Sequence, residues 1–285
     1  MYRLLPKRSF FALQALIAVF LIIAACARQM PTLPVIGTPG NSLPGKVVWH
    51  DLVTPNPDKS RAFYGQLFGW QFEQISDGYV LARSDGRPVA GMARVDAVGQ
   101  PSHWLPLVSV KDIARAQETT RAADGKVALD AFELPGRGRV AVLKDPQGAA
   151  FGVLQSSHGD PEDRVPALNT WMWNEIWTDD LAAAADYYEK LFGYELATAN
   201  IRNIDYEYFE RDGKPRAGLL KKPDPGIPNT WLCYLRVADV ASVTNKARAL
   251  GATVLMAPNP SVRNGKVAIL ADPHGAGFVV QEWRK

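Results

Sequence analysis

The sequence predicts an α+β fold built as two tandem domains, and three observations predict it. The chain repeats itself at long range. Each copy reads as strand, helix and three strands, run through twice. The runs between turn signals are too short for helices wherever they are rich in β-branched and aromatic residues.

The repeat comes first because it sets the domain count. The segment from Val48-Trp49-His50-Asp51-Leu52 to Phe68-Gly69-Trp70 reappears from Met172-Trp173-Asn174-Glu175-Ile176 to Phe192-Gly193-Tyr194, an offset of 124 (173 − 49). Further on, Asp85-Gly86-Arg87-Pro88 matches Asp212-Gly213-Lys214-Pro215, and Asp145-Pro146-Gln147-Gly148 matches Asp272-Pro273-His274-Gly275, an offset of 127 (272 − 145).

Within the first copy, an apolar run from Val47 stops at Pro55-Asn56-Pro57-Asp58, where Asp58 can cap a helix running to Phe68. Gly69 is the stop. Three short strands follow, the last two joined by the Asp85-Gly86 turn. The scheme restarts with a strand from His103, a helix over 112–123 and three more strands, the last pair joined by Asp145-Pro146-Gln147-Gly148. The second copy opens in the same way, with Asp179 or Asp180 as cap and Gly193 as stop.

The first 25 residues read as a targeting segment. Arg3, Lys7 and Arg8 precede an uncharged apolar run of 16 residues, Phe10 to Ala25, short of the roughly 20 that a bilayer span needs. It ends in Ile23-Ala24-Ala25-Cys26, which resembles a bacterial lipobox and implies lipidation at Cys26. The expectation is a lipid-anchored protein of the cell envelope, on the periplasmic face of the outer membrane if the cell has one. Removing residues 1–25 takes the formal net charge from +3 to about 0, which removes the support for a nucleic-acid partner. The expected division is 1–25 signal, 26–45 extended tether, 46–157 first domain, 158–168 linker and 169–285 second domain. Cys233, the second of two cysteines, lies in an apolar strand and reads as an inert thiol.

Phe63-Tyr64-Gly65-Gln66-Leu67-Phe68-Gly69-Trp70 after the first strand, and Asp145-Pro146-Gln147-Gly148 before the last, resemble the vicinal oxygen chelate family. Its members include glyoxalase I, extradiol dioxygenases, fosfomycin-resistance enzymes and bleomycin-binding proteins. The resemblance covers both copies. It implies that each domain closes a curved mixed sheet around a cleft, and that a divalent ion would be held by His, Gln or Glu on cleft-facing strands. Carried over position by position, three of the four ligand slots in each domain fall on Trp49 and Trp173, Leu105 and Leu232, and Gly152 and Val279, while the slot on the fourth strand is left unplaced. None of these side chains is an ordinary ligand, so no cofactor is expected, and a divalent metal with unusual ligands stays the alternative.

Strand alternation places Val47, Trp49, Asp51 and Val53 on the cleft face of the first domain, and Trp171, Trp173, Glu175 and Trp177 on that of the second. Indoles beside a carboxylate suit a planar or cationic molecule. The candidate ligand-binding residues are therefore Trp49, Asp51, His103, Trp171, Trp173, Glu175, Trp177 and Gln281. The competing reading packs the tryptophans between domains and pairs Glu175 with Arg139, Arg216 or Arg236. His50 reads as a core-edge histidine, and His274 and His158 as solvated. Three functions follow. The leading one is metal-independent sequestration of a small aromatic or cationic molecule. The second is an enzyme (lyase, dioxygenase or hydroxylase) with Asp51 or Glu175 as base. The third is an envelope interaction protein. The two domains are expected to pair with each other or across a homodimer.

Overall fold

A computed structural model describes residues 32–95, 101–201 and 204–283. The targeting segment and Cys26 lie outside the described residues. Among these residues no helix is long and apolar enough to cross a membrane.

The first domain runs β1 (Val47–Thr54), α1 (Pro57–Phe68), β2 (Gln71–Ser76), β3 (Tyr79–Ser84), β4 (Arg87–Arg94), β5 (His103–Ser109), α2 (Ile113–Ala122), β6 (Lys126–Leu134), β7 (Gly138–Lys144) and β8 (Ala150–Ser156). The second repeats it as β9 (Trp171–Thr178), α3 (Leu181–Phe192), β10 (Glu195–Ile201), β11 (Ile204–Arg211), β12 (Lys214–Lys221), β13 (Thr230–Val237), α4 (Val240–Ala249), β14 (Thr253–Met256), β15 (Val267–Ala271) and β16 (Gly277–Glu282). Each domain is one eight-stranded mixed sheet, ordered β2-β3-β4-β1-β5-β8-β7-β6 and β10-β11-β12-β9-β13-β16-β15-β14. The two strand–helix–strand units of a domain meet at the antiparallel β1/β5 or β9/β13 seam.

Local sequence explains the element ends. Asn56, not Asp58, caps α1 by accepting from Lys59 N, because Pro57 takes the first helical position. Asp180 caps α3, and Gly69 and Gly193 end their helices at φ 75 and 64. Asp85-Gly86 and Asp212-Gly213 have positive φ at both residues, the requirement of a type I′ hairpin.

The helices lie between the two sheets, and they set how the domains meet. α1 and the β1–β4 half share one core with the β13–β16 half and α4, where Tyr64, Phe68 and Met92 pack with Cys233, Val240 and Phe278. α2 and the β5–β8 half share a second core with α3 and the β9–β12 half. Cys233 is buried in the first of these cores, and burial pushes its thiol well above the ordinary range. The duplicated turn serves this contact. Asp145 Oδ1 accepts from Gln147 N and Ala149 N, while its Oδ2 accepts from Tyr188 OH of the second domain at 2.9 Å. Asp272 does the same for His274 N, Ala276 N and Tyr64 OH of the first domain. Trp104 and Trp231 donate their indole N–H to those tyrosine oxygens at 2.9 Å, completing two equivalent interdomain relays. His274, expected in solvent, is half-buried here, and its carbonyl accepts from Ser102 N.

His50 and Asn174 occupy the same place in the two copies, and they bond to each other at 2.9 Å. His50 also stacks on Trp171 at 4.3 Å. Burial, opposed by the Asn174 bond, lowers the imidazole pKa to about 4. Between that value and the ordinary 6.5 the unfolded chain binds the proton and the native protein does not. Stability therefore rises with pH across this window, and His50 alone should remove about 3 kcal/mol between pH 7 and pH 4. Urea unfolding across that range should show a loss about 3 kcal/mol larger in the wild type than in His50→Asn; superimposable pH dependences would contradict this assignment.

The opposite face of each sheet carries its own cluster. In the first domain it draws on Ile75 of β2, Trp49 of β1, Leu105 of β5 and Phe132 of β6. Residues from both edge strands can share one cluster only if the sheet curls into a cleft. The cleft of the second domain is floored by Leu232, Tyr234 and Val279, with Trp173 and Trp177 packed on them.

Candidate functional site

The two clefts are lined by one hydrogen-bonded motif in two versions. In the first domain Asp51 Oδ1 accepts from Trp49 Nε1 at 2.9 Å and from Tyr79 OH at 2.8 Å. In the second, Glu175 Oε1 accepts from Tyr206 OH at 2.9 Å, and Trp173 Nε1 donates to that tyrosine oxygen at 2.8 Å. Strand register produces both. β1 pairs with β4 so that Asp51 faces Gly91, and β9 pairs with β12 so that Glu175 faces Gly218. The glycines leave room for the tyrosine from the next strand to reach the carboxylate. A Cβ on Gly91 would collide with Tyr79 OH and Asp51 Oδ1, and one on Gly218 with Tyr206 OH.

An arginine completes each motif, and both come from the loop before the seventh strand of their domain. Arg263 Nη2 pairs with Glu175 Oε1 at 2.5 Å, and Nη1 donates to Gln281 Oε1 at 2.5 Å. Glu175 Oε2 accepts from Tyr234 OH and, at 3.3 Å, from Trp177 Nε1. The carboxylate is fully buried and has four donors around it. Burial is the largest single influence on Arg263 and would lower its pKa, but the Glu175 charge and hydrogen bond, with Tyr234 and Tyr206, together outweigh it and hold the guanidinium above its ordinary value. Burial and the same negative charge push Tyr206 and Tyr234 well above the phenol range. The ion pair replaces the partners expected from the sequence. Arg139 does not reach Glu175, Arg216 pairs with Asp163, and Arg236 donates to Pro166 O.

In the first domain Arg137 lies over the Trp49 ring at 3.9 Å. Burial raises the Asp51 pKa, with Tyr79, Arg137 and Trp49 opposing it, and burial lowers that of Arg137. Here the cation stacks on an indole.

The loop conformation that delivers Arg263 is strained. Arg263, Asn264 and Gly265 have φ of 47, 56 and 73, three successive left-handed residues of which only one is glycine. Each non-glycine there costs roughly 1–2 kcal/mol. The turn is held by Asn259, whose carbonyl accepts from Val262 N and Gly265 N. In the first domain the slot of Arg263 is Gly136 and that of Asn264 is Arg137 (263 − 136 = 264 − 137 = 127). The two cleft arginines are thus one residue out of register.

The eight residues expected in a cleft divide into three groups. Trp173, Glu175, Trp177 and Gln281 meet in the second cleft. Trp49, Asp51 and His103 belong to the first, His103 standing opposite Val53 at the end of β5. Desolvation holds the His103 pKa down to about 4. Trp171 is not in a cleft. It packs into the interdomain core and donates to Val89 O at 3.0 Å. The cause is a β-bulge that strict alternation overlooks: pairing slips between Val47 and Trp49, and likewise between Trp171 and Trp173. The slip turns Val47 and Trp171 away from the cleft and brings Val48 and Met172 in. The sequence reading missed Tyr79, Tyr206, Tyr234, Arg137 and Arg263. A signal existed for the first two, which recur at the 127-residue offset (206 − 79).

The ion that the family resemblance implies finds no fitting donor set. The carried-over positions are Trp49, Leu105 and Gly152 in one cleft and Trp173, Leu232 and Val279 in the other, none with an oxygen, imidazole or thiolate to give. Glu175 is engaged by its own chain. Among the described residues no group of three or more His, Cys, Asp or Glu is placed to hold a metal.

Comparisons with known proteins agree with this architecture. Residues 46–153 match the model of the glyoxalase/bleomycin resistance protein/dioxygenase superfamily, and residues 174–281 match that of the glyoxalase-like domain. A Mycobacterium tuberculosis protein carrying the provisional name glyoxylase CFP32 is 30% identical over 241 residues, spanning 81% of this chain and 92% of that protein. The anthracycline biosynthesis protein DnrV of Streptomyces peucetius is 31% identical over 261 residues, spanning 85% and 94%. Among solved structures, an extradiol ring-cleaving dioxygenase from B. fuscum superposes with a TM-score of 0.58 at 15% identity, covering 90% of this chain and 75% of its own. The Mn(II)-bound glyoxalase from Novosphingobium aromaticivorans gives 0.55 at 14%, covering 84% and 83%. These two share the fold. With paired strand–helix–three-strand modules in both halves and relatives that match over nearly their whole length, the chain belongs to the glyoxalase/bleomycin resistance protein/dioxygenase superfamily.

Proposed function

We propose that the protein binds a small planar aromatic molecule in the cleft of its second domain, without a metal ion, and that Cys26 lipidation holds it in the cell envelope. The observation that carries the binding reading is the state of Glu175. All four of its donors come from the protein, so a fixed neutral pair with Arg263 stands in a wall of indole and phenol rings. Such a wall offers flat apolar area with a few oriented polar groups, the usual make-up of a small-molecule site. Trp173 and Trp177 are both partly exposed, so their surfaces remain available. A cationic ligand loses its argument, because Arg263 already neutralises the carboxylate. A general-base role for Glu175 loses its argument too, since a base needs a free lone pair within reach of substrate. The kinship with a protein named for anthracycline biosynthesis supports a fused-ring ligand.

Titration of the purified protein with an anthracycline as probe should quench tryptophan fluorescence saturably. Trp173→Ala should weaken binding at least tenfold, and Trp49→Ala should change it less than twofold. Equal losses in the two variants would move the site elsewhere. Stoichiometric metal in the purified protein, lost together with ligand binding on chelation, would sink the metal-independent reading.

A further inference from the structure

The stretch before β1 was expected to be an extended tether, yet its described part is seated on the fold. Leu33 is almost completely buried, and Ile36 packs against the cleft cluster of the first domain. The segment bonds to the cleft rim through its backbone in both directions. Leu33 N donates to Pro135 O at 2.8 Å, and Pro34 O accepts from Arg137 Nε at 2.8 Å. The rim is shaped for this approach. Gly136, at φ 83, lies so close to the Leu33 carbonyl that a Cβ there would collide with it. Gly37 crosses the linker with equally little room, against the Gly159 carbonyl. Beyond it, Thr38 N donates to Asp160 O, and Leu43 N to Asp160 Oδ2, which fixes the far end of the strap.

The two clefts differ in this respect. The cluster of the second cleft begins at Met172 and takes nothing from 158–168, the stretch that precedes β9 as the strap precedes β1. Trp49 is accordingly buried, while its counterpart Trp173 is partly exposed.

We propose that the cleft of the first domain is a peptide-binding groove whose occupant is the chain's own segment Leu33-Pro34-Val35-Ile36. Recognition combines two familiar features: main-chain hydrogen bonds give affinity, and side chains three residues apart, the repeat of a polyproline-type extended segment, anchor it. Ile36 packs on the cleft cluster and Leu33 is buried beside the Pro135–Gly136 rim, while Val35 is exposed between them. Proline fixes the extended backbone between the two anchors and lowers the entropy lost on seating. Because the segment is covalently attached, its effective concentration at the groove is high, and a free peptide of the same sequence competes poorly. The small-molecule role then falls to the second cleft alone.

The test uses the full chain and the acetylated peptide of residues 32–38, so its outcome does not depend on any small ligand. In Leu33→Asp/Ile36→Asp the strap cannot seat, and the peptide should bind with 1:1 stoichiometry at least tenfold more tightly than to the wild type. Adding Arg137→Ala should weaken that binding at least fivefold. If the double variant does not fold, Ile36→Ser carries the same comparison. In the wild type, the Leu33 amide should exchange with solvent at least a hundredfold more slowly than in the free peptide. Equal peptide binding to wild type and variant, no binding to a folded variant, or free-peptide exchange at Leu33 would each overturn the proposal.

Discussion

Arg263→Ala should destabilise the second domain by about 3 kcal/mol and abolish ligand binding in its cleft. The size follows from what the substitution leaves behind. Glu175 is fully buried, and the 2.5 Å ion pair is its sole contact with a positive charge among the described residues. Removing one partner of a buried pair strands the other charge, which costs roughly 3–5 kcal/mol. The lower end applies here, because Tyr206, Tyr234 and Trp177 still donate to the carboxylate and the arginine is partly open to water. A second effect works the other way. Without its guanidinium anchor the loop can relax from its left-handed turn at 263–264, recovering part of that strain. The double variant Glu175→Gln/Arg263→Ala separates the two contributions. It removes the stranded charge and should recover at least half of the lost stability, as read by urea unfolding. If the single and double variants are equally unstable, the pair is not what holds this cleft together, and loop packing is. Glu175→Gln alone should be mildly destabilising, since an amide keeps one acceptor oxygen for the phenols.

Much of this architecture is legible in the sequence, for a physical reason. Caps, stops and hairpin turns are local chemistry: Asp180 before α3, Gly69 and Gly193 after α1 and α3, Asp-Gly at both hairpins. The repeat then doubles each local signal, so the succession of strands and helices in the second domain follows from one reading of the first. The cleft floor was legible as well, because alternation along β1 and β9 from Trp49 and Trp173 onward is regular. What escaped was decided by non-local geometry. The bulge that turns Trp171 into the interdomain core is an offset of one residue in pairing with β13, which no composition cue marks. The expected partners of Glu175, Arg139, Arg216 and Arg236, all lie on strands. The actual partner comes instead from a loop 88 positions away that adopts a conformation a non-glycine residue seldom takes. Register slippage between the copies hid it further, since Arg263 aligns with Gly136 rather than with Arg137. The seated strap escaped for a related reason. Its Pro, Gly and Thr composition describes an extended chain correctly, but extension does not say whether the chain lies on a surface.

Gly218→Ala should be the most disruptive single methyl in the second cleft, costing about 3 kcal/mol and dissolving the Tyr206–Glu175 bond. Gly218 stands in β12 directly opposite Glu175 on β9, and Tyr206 reaches across it from β11. A Cβ at this position would overlap Tyr206 OH, lie 2.9 Å from Cζ of the same ring and 2.8 Å from Glu175 Cγ. Backbone conformation is not the obstacle, because Gly218 is not among the residues with positive φ. The cost is therefore overpacking, which typically amounts to 1–3 kcal/mol in a close-packed interior, joined here by a broken bond to a buried carboxylate. Tyr206→Phe discriminates between these contributions. The phenylalanine removes the overlapping hydroxyl and leaves the ring carbon, so Gly218→Ala/Tyr206→Phe should be more stable than Gly218→Ala alone. Tyr206→Phe in the native background should instead destabilise, by about 1 kcal/mol, through the lost phenol–carboxylate bond. A change of sign between the two backgrounds is the signature of direct steric coupling, and a double-mutant cycle on unfolding free energies reads it. If Tyr206→Phe is equally harmful in both backgrounds, the added methyl acts through the strand backbone rather than through the phenol. The first domain supplies a comparison. Gly91→Ala meets Tyr79 OH and also Asp51 Oδ1 itself, so Gly91→Ala/Tyr79→Phe should show coupling of the same sign but a smaller recovery. Agreement between the two cycles would tie the glycine to the carboxylate–tyrosine bond in both copies of the cleft, whatever each cleft holds.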